Sequence, residues 1–212
     1  MTMTLSLRRL ALTSHITFSM GWFGAVAGFL ALAIAGLTSQ DAQMVRSTYL
    51  SMELVGWLVI VPACLGTLLT GLIQSLGTEW GLFRHYWVLV KFLLTIVATL
   101  ILWLHMQPVS YIAEIAAGEE LSNSELRGLR IQLVADAGAA LLVLLFATTL
   151  SVYKPWGRTP YGLRNQNMRS GRTTRSESPA GKPWLRYLLV ALICLVLLSF
   201  VILHLAGVMG GH

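Results

Sequence analysis

The stretch HITFSMGWFGAVAGFLALAIAGL, residues 15–37, decides the fold class because it has the length and composition of a membrane span. At about 1.5 Å per residue, a helix of this length crosses the roughly 30 Å of hydrocarbon in a bilayer. After His15 the stretch contains no titratable side chain. The sequence therefore predicts a transmembrane helix, and the role of the imidazole at its head becomes the first functional question.

Composition extends this prediction to the whole chain. Of its 212 residues, 56% are hydrophobic and 11% are charged, and the mean hydropathy is +0.70. A soluble domain carries about 25% charged residues, so the chain is predicted to be an all-α integral membrane protein. In a soluble protein the net charge of +6 would suggest a nucleic-acid partner. Here the basic residues cluster in loops beside apolar segments, where membrane topology and anionic lipid explain them better.

Five apolar segments define the predicted domains. They are residues 15–37, 54–76, 86–106, 131–153 and 185–207. The first four predict a four-helix transmembrane bundle within residues 1–155. Residues 156–184 are rich in Arg, Ser and Gly and lack a helical or alternating pattern, which is typical of a flexible cytoplasmic linker. Residues 185–212 are predicted to hold an appended fifth transmembrane helix and a short outer tail.

The loop charges predict the orientation. With five spans, the N-terminus, the second loop and the linker lie on one side of the membrane. That side carries twelve basic residues: Arg8, Arg9, Arg84, Lys91, Lys154, Arg158, Arg164, Arg169, Arg172, Arg175, Lys182 and Arg186. The other side carries Arg46, Arg127 and Arg130. The positive-inside rule therefore predicts a multi-pass protein of a bacterial-type cytoplasmic (inner) membrane, with the N-terminus in the cytoplasm and the C-terminus outside.

Small residues and one proline predict how the helices pack. Gly21, Gly24 and Gly28 share one strip of the first span, a spacing that allows close approach of a neighbouring helix. Pro62 lies inside the second span and is expected to kink it.

Titratable groups within spans are costly, so each is a functional hypothesis. On the predicted inner side lie His15 and Lys91. The predicted outer set consists of Met52, Glu53, His105, Asp136 and His204. Lys91 and His105 are on one helix, fourteen residues or about 20 Å apart. The inner and outer residues therefore predict two separate sites.

His15 and Trp22 lie seven residues apart and on one face of the first helix. An imidazole above an aromatic wall in a helix bundle is typical of a haem ligand. The same pattern is typical of an interfacial histidine. Lys91 is placed for a role in a binding site and equally for its ammonium to reach the lipid headgroups. Periodicity alone leaves both interpretations open.

The spacing His15-x6-Trp22-Phe23-Gly24 resembles the start of the HemJ-type protoporphyrinogen oxidases. So do Met52-Glu53 before a helix with Pro62, and Trp87-x3-Lys91 with His105 near the end of that span. The stretch SLGTEWGLFRHYWVLVKFLLT, residues 75–95, is similar to a related family of predicted integral membrane proteins. Both groups belong with the copper-resistance CopD proteins in one superfamily of four-helix membrane units.

This resemblance implies a b-type haem (haem b) held by the bundle, with His15 as the iron ligand. Lys91 would neutralise a haem propionate or pair with Glu79. The oxidases carry an arginine in the first helix, where this chain reads Leu30-Ala31-Leu32-Ala33, so their activity is not carried over. The implied function is a haem-binding membrane bundle with a redox-related role, and an electron-transfer partner or a homo-oligomer would accompany it.

Two other classes of function stay open. A copper-handling, CopD-like protein would use the outer set, because methionine and histidine together suit both oxidation states of copper. A membrane scaffold or subunit without a cofactor would use the titratable residues only for packing. Neither a nucleotide-binding glycine loop nor a nucleophile elbow occurs in the sequence.

Overall fold

A computed structural model describes residues 3–77, 86–118 and 124–153, with the side chains of 86, 124 and 125 excepted. The elements within these ranges are α1 (Leu5–Thr38), α2 (Ala42–Val55), a π-helical turn (Gly56–Ile60), α3 (Val61–Gly77), α4 (Tyr86–Ala117) and α5 (Ser124–Tyr153). The predicted linker and fifth helix lie outside the described residues.

Four helical stretches are long and apolar enough to cross a membrane. They are Leu5–Thr38, Ala42–Gly77, Trp87–Ala117 and Leu126–Tyr153. The described part of the chain contains helices and no strand. The predicted all-α fold with four transmembrane helices is therefore confirmed for this part.

Contacts between helix ends give the direction of each helix. Near the start of α1, the Gln74 amide of α3 donates a 2.8 Å hydrogen bond to the Ala11 carbonyl. At the start of α2, Arg46 donates a 2.8 Å hydrogen bond to the Ala117 carbonyl at the end of α4. The start of α1 thus adjoins the end of α3, and the start of α2 adjoins the end of α4. We call the first of these the N-terminal end of the bundle and the second the opposite end.

The second membrane-crossing helix changes register just before its proline. Residues Gly56–Ile60 form a π-helical turn, and Pro62 follows in the first turn of α3. Pro62 has no N–H to donate and its ring would clash with the carbonyl four residues earlier, so a local change of register relieves both problems. A Cβ at Gly56 would lie 2.7 Å from Met106 Cε, so the glycine lets α4 pack closely against this turn.

Within the described residues, no helix makes the predicted close approach at the α1 glycines. A Cβ built on Gly21, Gly24 or Gly28 meets no atom of these residues within 4 Å, and all three glycines are exposed. The opposite face of α1 carries the buried side chains Trp22, Val26, Phe29 and Ala33. Because these large side chains fill the bundle interior, the glycines are turned away from it.

Other glycines do make the close contacts. A Cβ on Gly66 of α3 would lie 2.5 Å from the ring of Phe18, and a Cβ on Gly36 of α1 would lie 2.8 Å from the ring of Tyr49. Tyr49 is fully buried, with 0% exposure, and the Arg130 guanidinium lies 5.5 Å from the centre of its ring. The Tyr49 ring is therefore in close contact with both α1 and α5.

We expect Gly36→Ala to lower the free energy of unfolding by about 1–3 kcal/mol, the usual cost of overpacking a filled core. The matched control is Gly24→Ala on the same helix, which meets open space and should change stability by no more than about 1 kcal/mol, in the stabilising direction. Unfolding in increasing sodium dodecyl sulfate, followed by circular dichroism, measures both. Equal effects of the two substitutions would contradict the packing described for α1.

Candidate functional site

The His15 ring is oriented by a hydrogen bond to α3. Its Nδ1 lies 3.0 Å from Thr70 Oγ1, and that hydroxyl lies 2.6 Å from the Gly66 carbonyl. The hydroxyl has one hydrogen and donates it to the carbonyl, so it accepts from His15 Nδ1–H. The neutral ring then keeps its lone pair on Nε2. A histidine that donates through Nδ1 and keeps a lone pair on Nε2 has the tautomer of a metal-ligating imidazole.

Lys91 of α4 faces the second ring nitrogen of His15. Lys91 Nζ lies 3.5 Å from His15 Nε2, so the ammonium points toward the lone pair. Gly71 provides the space for the ring, because a Cβ there would lie 3.3 Å from His15 Cε1. The predicted inner residues His15 and Lys91 are therefore neighbours, although they come from different helices.

A crevice between α3 and α4, which we call the α3–α4 crevice, adjoins this pair. It has a volume of about 120 Å³. Its lining includes His15, Thr67, Gln74, Trp87, Lys91 and Phe92. Thr67 is 5% exposed, and its hydroxyl has no hydrogen-bond partner among the described residues. The crevice thus combines aromatic walls with a ligand nitrogen, a cation and an unused hydroxyl.

Trp22, the third predicted member of the inner site, lies elsewhere. It is buried two helical turns beyond His15, about 10 Å further along α1. It lines a second cavity, formed mainly by α4 and α5 and backed by α1, which we call the α4–α5 crevice. The structure therefore brings His15 and Lys91 together but places Trp22 at a different site.

His105 and Asp136 form a buried pair at the α4–α5 crevice. His105 Nε2 lies 2.8 Å from Asp136 Oδ2, and His105 Nδ1 lies 2.8 Å from the Ile101 carbonyl. The two residues are 8% and 7% exposed. A carbonyl only accepts, so Nδ1 carries a hydrogen. The proton between Nε2 and Oδ2 makes the pair either imidazolium–carboxylate or imidazole–carboxylic acid.

The structure places the other predicted outer residues as follows. Met52 is fully buried in the hydrophobic core and Glu53 is partly buried, while His204 lies outside the described residues. Met106 lines the same crevice as His105. Within residues 3–77, 86–118 and 124–153, no three His, Cys, Asp or Glu side chains cluster as a metal site would require. Both ring nitrogens of His105 are already engaged, so binding copper there would need one hydrogen bond to break.

Threonines make two of the contacts between helices that sequence reasoning missed. Thr70 orients His15, and Thr99 Oγ1 lies 3.1 Å from Cys64 Sγ inside the bundle. A signal was present in the spacing. Thr67, Thr70 and Gln74 follow one face of α3, and Lys91, Thr95 and Thr99 recur every four residues on α4. Polar residues at helical spacing in an apolar span mark a face turned toward the protein interior.

The chain is a multi-pass helical bundle with two polar sites at different depths. Comparison with models of protein families, with curated proteins and with solved structures finds no match. The resemblance to the HemJ-type and CopD proteins therefore stays a prediction.

Proposed function

We propose that this protein is a membrane redox protein that binds a b-type haem at the α3–α4 crevice, with His15 as the iron ligand. The observation that carries the proposal is the orientation of the His15 ring. Thr70 Oγ1 lies 3.0 Å from Nδ1, and Nε2 faces Lys91 Nζ, which lines the crevice together with His15. A bound haem would supply one-electron chemistry.

The donor set of the crevice fits a haem. Trp87 and Phe92 offer aromatic walls, and Lys91 offers a cation for a propionate. Lys91 must then turn away from Nε2, which its flexible stem permits. The volume sets a further condition, because about 120 Å³ is below the roughly 300 Å³ at which cofactor pockets begin. Haem binding on this proposal requires α3 and α4 to move apart.

The proposal includes the setting in which such a protein would work. A bacterial-type inner membrane and an electron-transfer partner, or a second copy of the chain, follow from a redox role and from the basic inner loops. The apolar helices support a lipid bilayer as the surroundings.

The absorption spectrum of the full chain, produced with haem available and purified in mild detergent, tests the proposal. The wild-type protein should show a Soret band, and His15→Ala should lose or strongly shift it while keeping its helical circular dichroism. The control is the His105→Leu/Asp136→Leu double variant, which changes the other polar site and should keep the band.

Three results would overturn the proposal. A Soret band that survives in His15→Ala but disappears in the double variant would move the haem to the α4–α5 crevice. A wild-type protein with neither haem nor copper would favour the cofactor-free scaffold, and stoichiometric copper without a Soret band would favour copper handling.

A further inference from the structure

The α4–α5 crevice is a second cavity whose chemistry differs from that of the His15 site. Its volume is about 100 Å³ and it is partly open to the outside of the bundle. Apart from His105 and Asp136, its lining consists of apolar and aromatic side chains, among them Trp22, Phe29, Leu102, Met106 and Leu133. We take this opening to face lipid, so that a ligand enters from the bilayer.

One atom in this crevice lacks a partner. Asp136 Oδ1 is buried and accepts no hydrogen bond from any described residue, whereas Oδ2 is bonded to His105. In the imidazolium–carboxylate form Oδ1 is a carboxylate oxygen, and in the imidazole–acid form it is the carbonyl oxygen of the acid. Both forms make Oδ1 an acceptor that needs a donor. Leaving such an atom unsatisfied in a buried site is costly.

A water molecule alone would be a poor donor here. A buried water usually makes two to four hydrogen bonds. His105 has both ring nitrogens engaged, and the other side chains lining the crevice are apolar or aromatic, so they provide no further strong acceptor. An apolar molecule with one hydroxyl matches the crevice better. Its apolar part would pack against the lining side chains in place of lipid, and its hydroxyl would donate a hydrogen bond to Asp136 Oδ1.

We propose that the α4–α5 crevice binds a lipid-soluble phenol, with the phenolic hydroxyl donating to Asp136 Oδ1 and the ring lying near Trp22 and Phe29. Aromatic side chains favour an aromatic ligand through offset or edge-to-face contacts. His105 holds Asp136 in place through the 2.8 Å bond, and the Ile101 carbonyl holds His105.

This site is independent of the proposed haem site. Lys91 and His105 are fourteen residues apart on α4, about 21 Å along the helix. The phenol proposal therefore depends on the His105–Asp136 pair and is independent of whether His15 binds haem.

Binding of 4-decylphenol and of its methyl ether to the full chain in phosphatidylcholine nanodiscs tests the proposal. The ether keeps the ring and the tail but has no hydrogen to donate. With empty nanodiscs as the reference for partitioning into lipid, the wild-type protein should bind the phenol saturably and at least about tenfold more tightly than the ether, the effect of one hydrogen bond to a carboxyl oxygen.

Two variants test whether the preference for the phenol over its ether depends on the His105–Asp136 pair. Asp136→Asn retains an acceptor oxygen and should keep a preference for the phenol. The His105→Leu/Asp136→Leu double variant has no acceptor, so its affinities for the two probes should become equal. Equal affinities in the wild-type protein, no saturable binding, or a preference that survives in the double variant would each overturn the proposal. The wild-type comparison is decisive even if the double variant fails to fold.

Discussion

Replacing Asp136 alone by leucine should lower the free energy of unfolding by about 3–5 kcal/mol, the usual cost of breaking a buried pair by removing one partner. His105 would keep its bond to the Ile101 carbonyl, but its Nε2 would face leucine in a site that is 8% exposed. His105→Leu should cost a similar amount, because it leaves a buried carboxyl group without its partner. Unfolding in sodium dodecyl sulfate, followed by circular dichroism, measures each value.

The double variant makes this prediction specific. When both partners become leucine, no unpaired polar group remains, and such replacements are often neutral or stabilising. We therefore expect His105→Leu/Asp136→Leu to be more stable than either single variant. Asp136→Asn is the conservative control, because its amide can donate to His105 Nε2, and it should cost about 1 kcal/mol. Additive losses in the double variant would mean that the two side chains are not energetically coupled.

The four spans could be predicted because each is a local property of the chain. Apolar segments long enough for a bilayer appear in the sequence, and helices occupy them in the described residues. The separation of the His15 and His105 sites could also be predicted, because Lys91, the neighbour of His15, and His105 both lie on α4 at a known rise per residue.

The partners of each site could not be predicted, because they depend on how the helices rotate and cross. His15 and Trp22 share a face of α1, but α1 meets α3 at the depth of His15, and at the depth of Trp22 this face lines the crevice between α4 and α5. A shared face therefore did not give a shared site. His105 and Asp136 are 31 residues apart, and only the packing of α4 against α5 shows that they touch.

The packing of the α1 glycines likewise depends on how the helix is rotated in the bundle. Gly21, Gly24 and Gly28 have the spacing of a packing strip but face open space, whereas Gly36 lies directly against Tyr49. Spacing shows which residues share a face. The large buried side chains Trp22 and Phe29 decide which face turns inward, because they bury far more apolar area than a glycine strip does.

Reporter fusions should place residue 165 in the cytoplasm and residue 120 on the outer side of a bacterial inner membrane. The described helices alternate in direction: α4 ends at the opposite end, and α5, which begins beside α2 with Arg130 over the Tyr49 ring, ends at the N-terminal end. Residue 120 follows α4 in the chain and residue 165 follows α5. The remaining question is which end faces the cytoplasm, and the basic residues address it.

At the N-terminal end the described basic residues are Arg8, Arg9 and Lys91, and the sequence adds Arg84 and the arginine-rich stretch of residues 156–184. Among the described residues the opposite end has Arg46, Arg127 and Arg130. The positive-inside rule therefore favours the N-terminal end as the cytoplasmic one. Alkaline phosphatase fused after residue 120 should be active and after residue 165 inactive, and green fluorescent protein should give the reverse pattern. Inverted patterns would show the opposite orientation in the membrane. His15 and Lys91 would then lie in the outer half, and the His105–Asp136 pair would lie closer to the cytoplasm than they do.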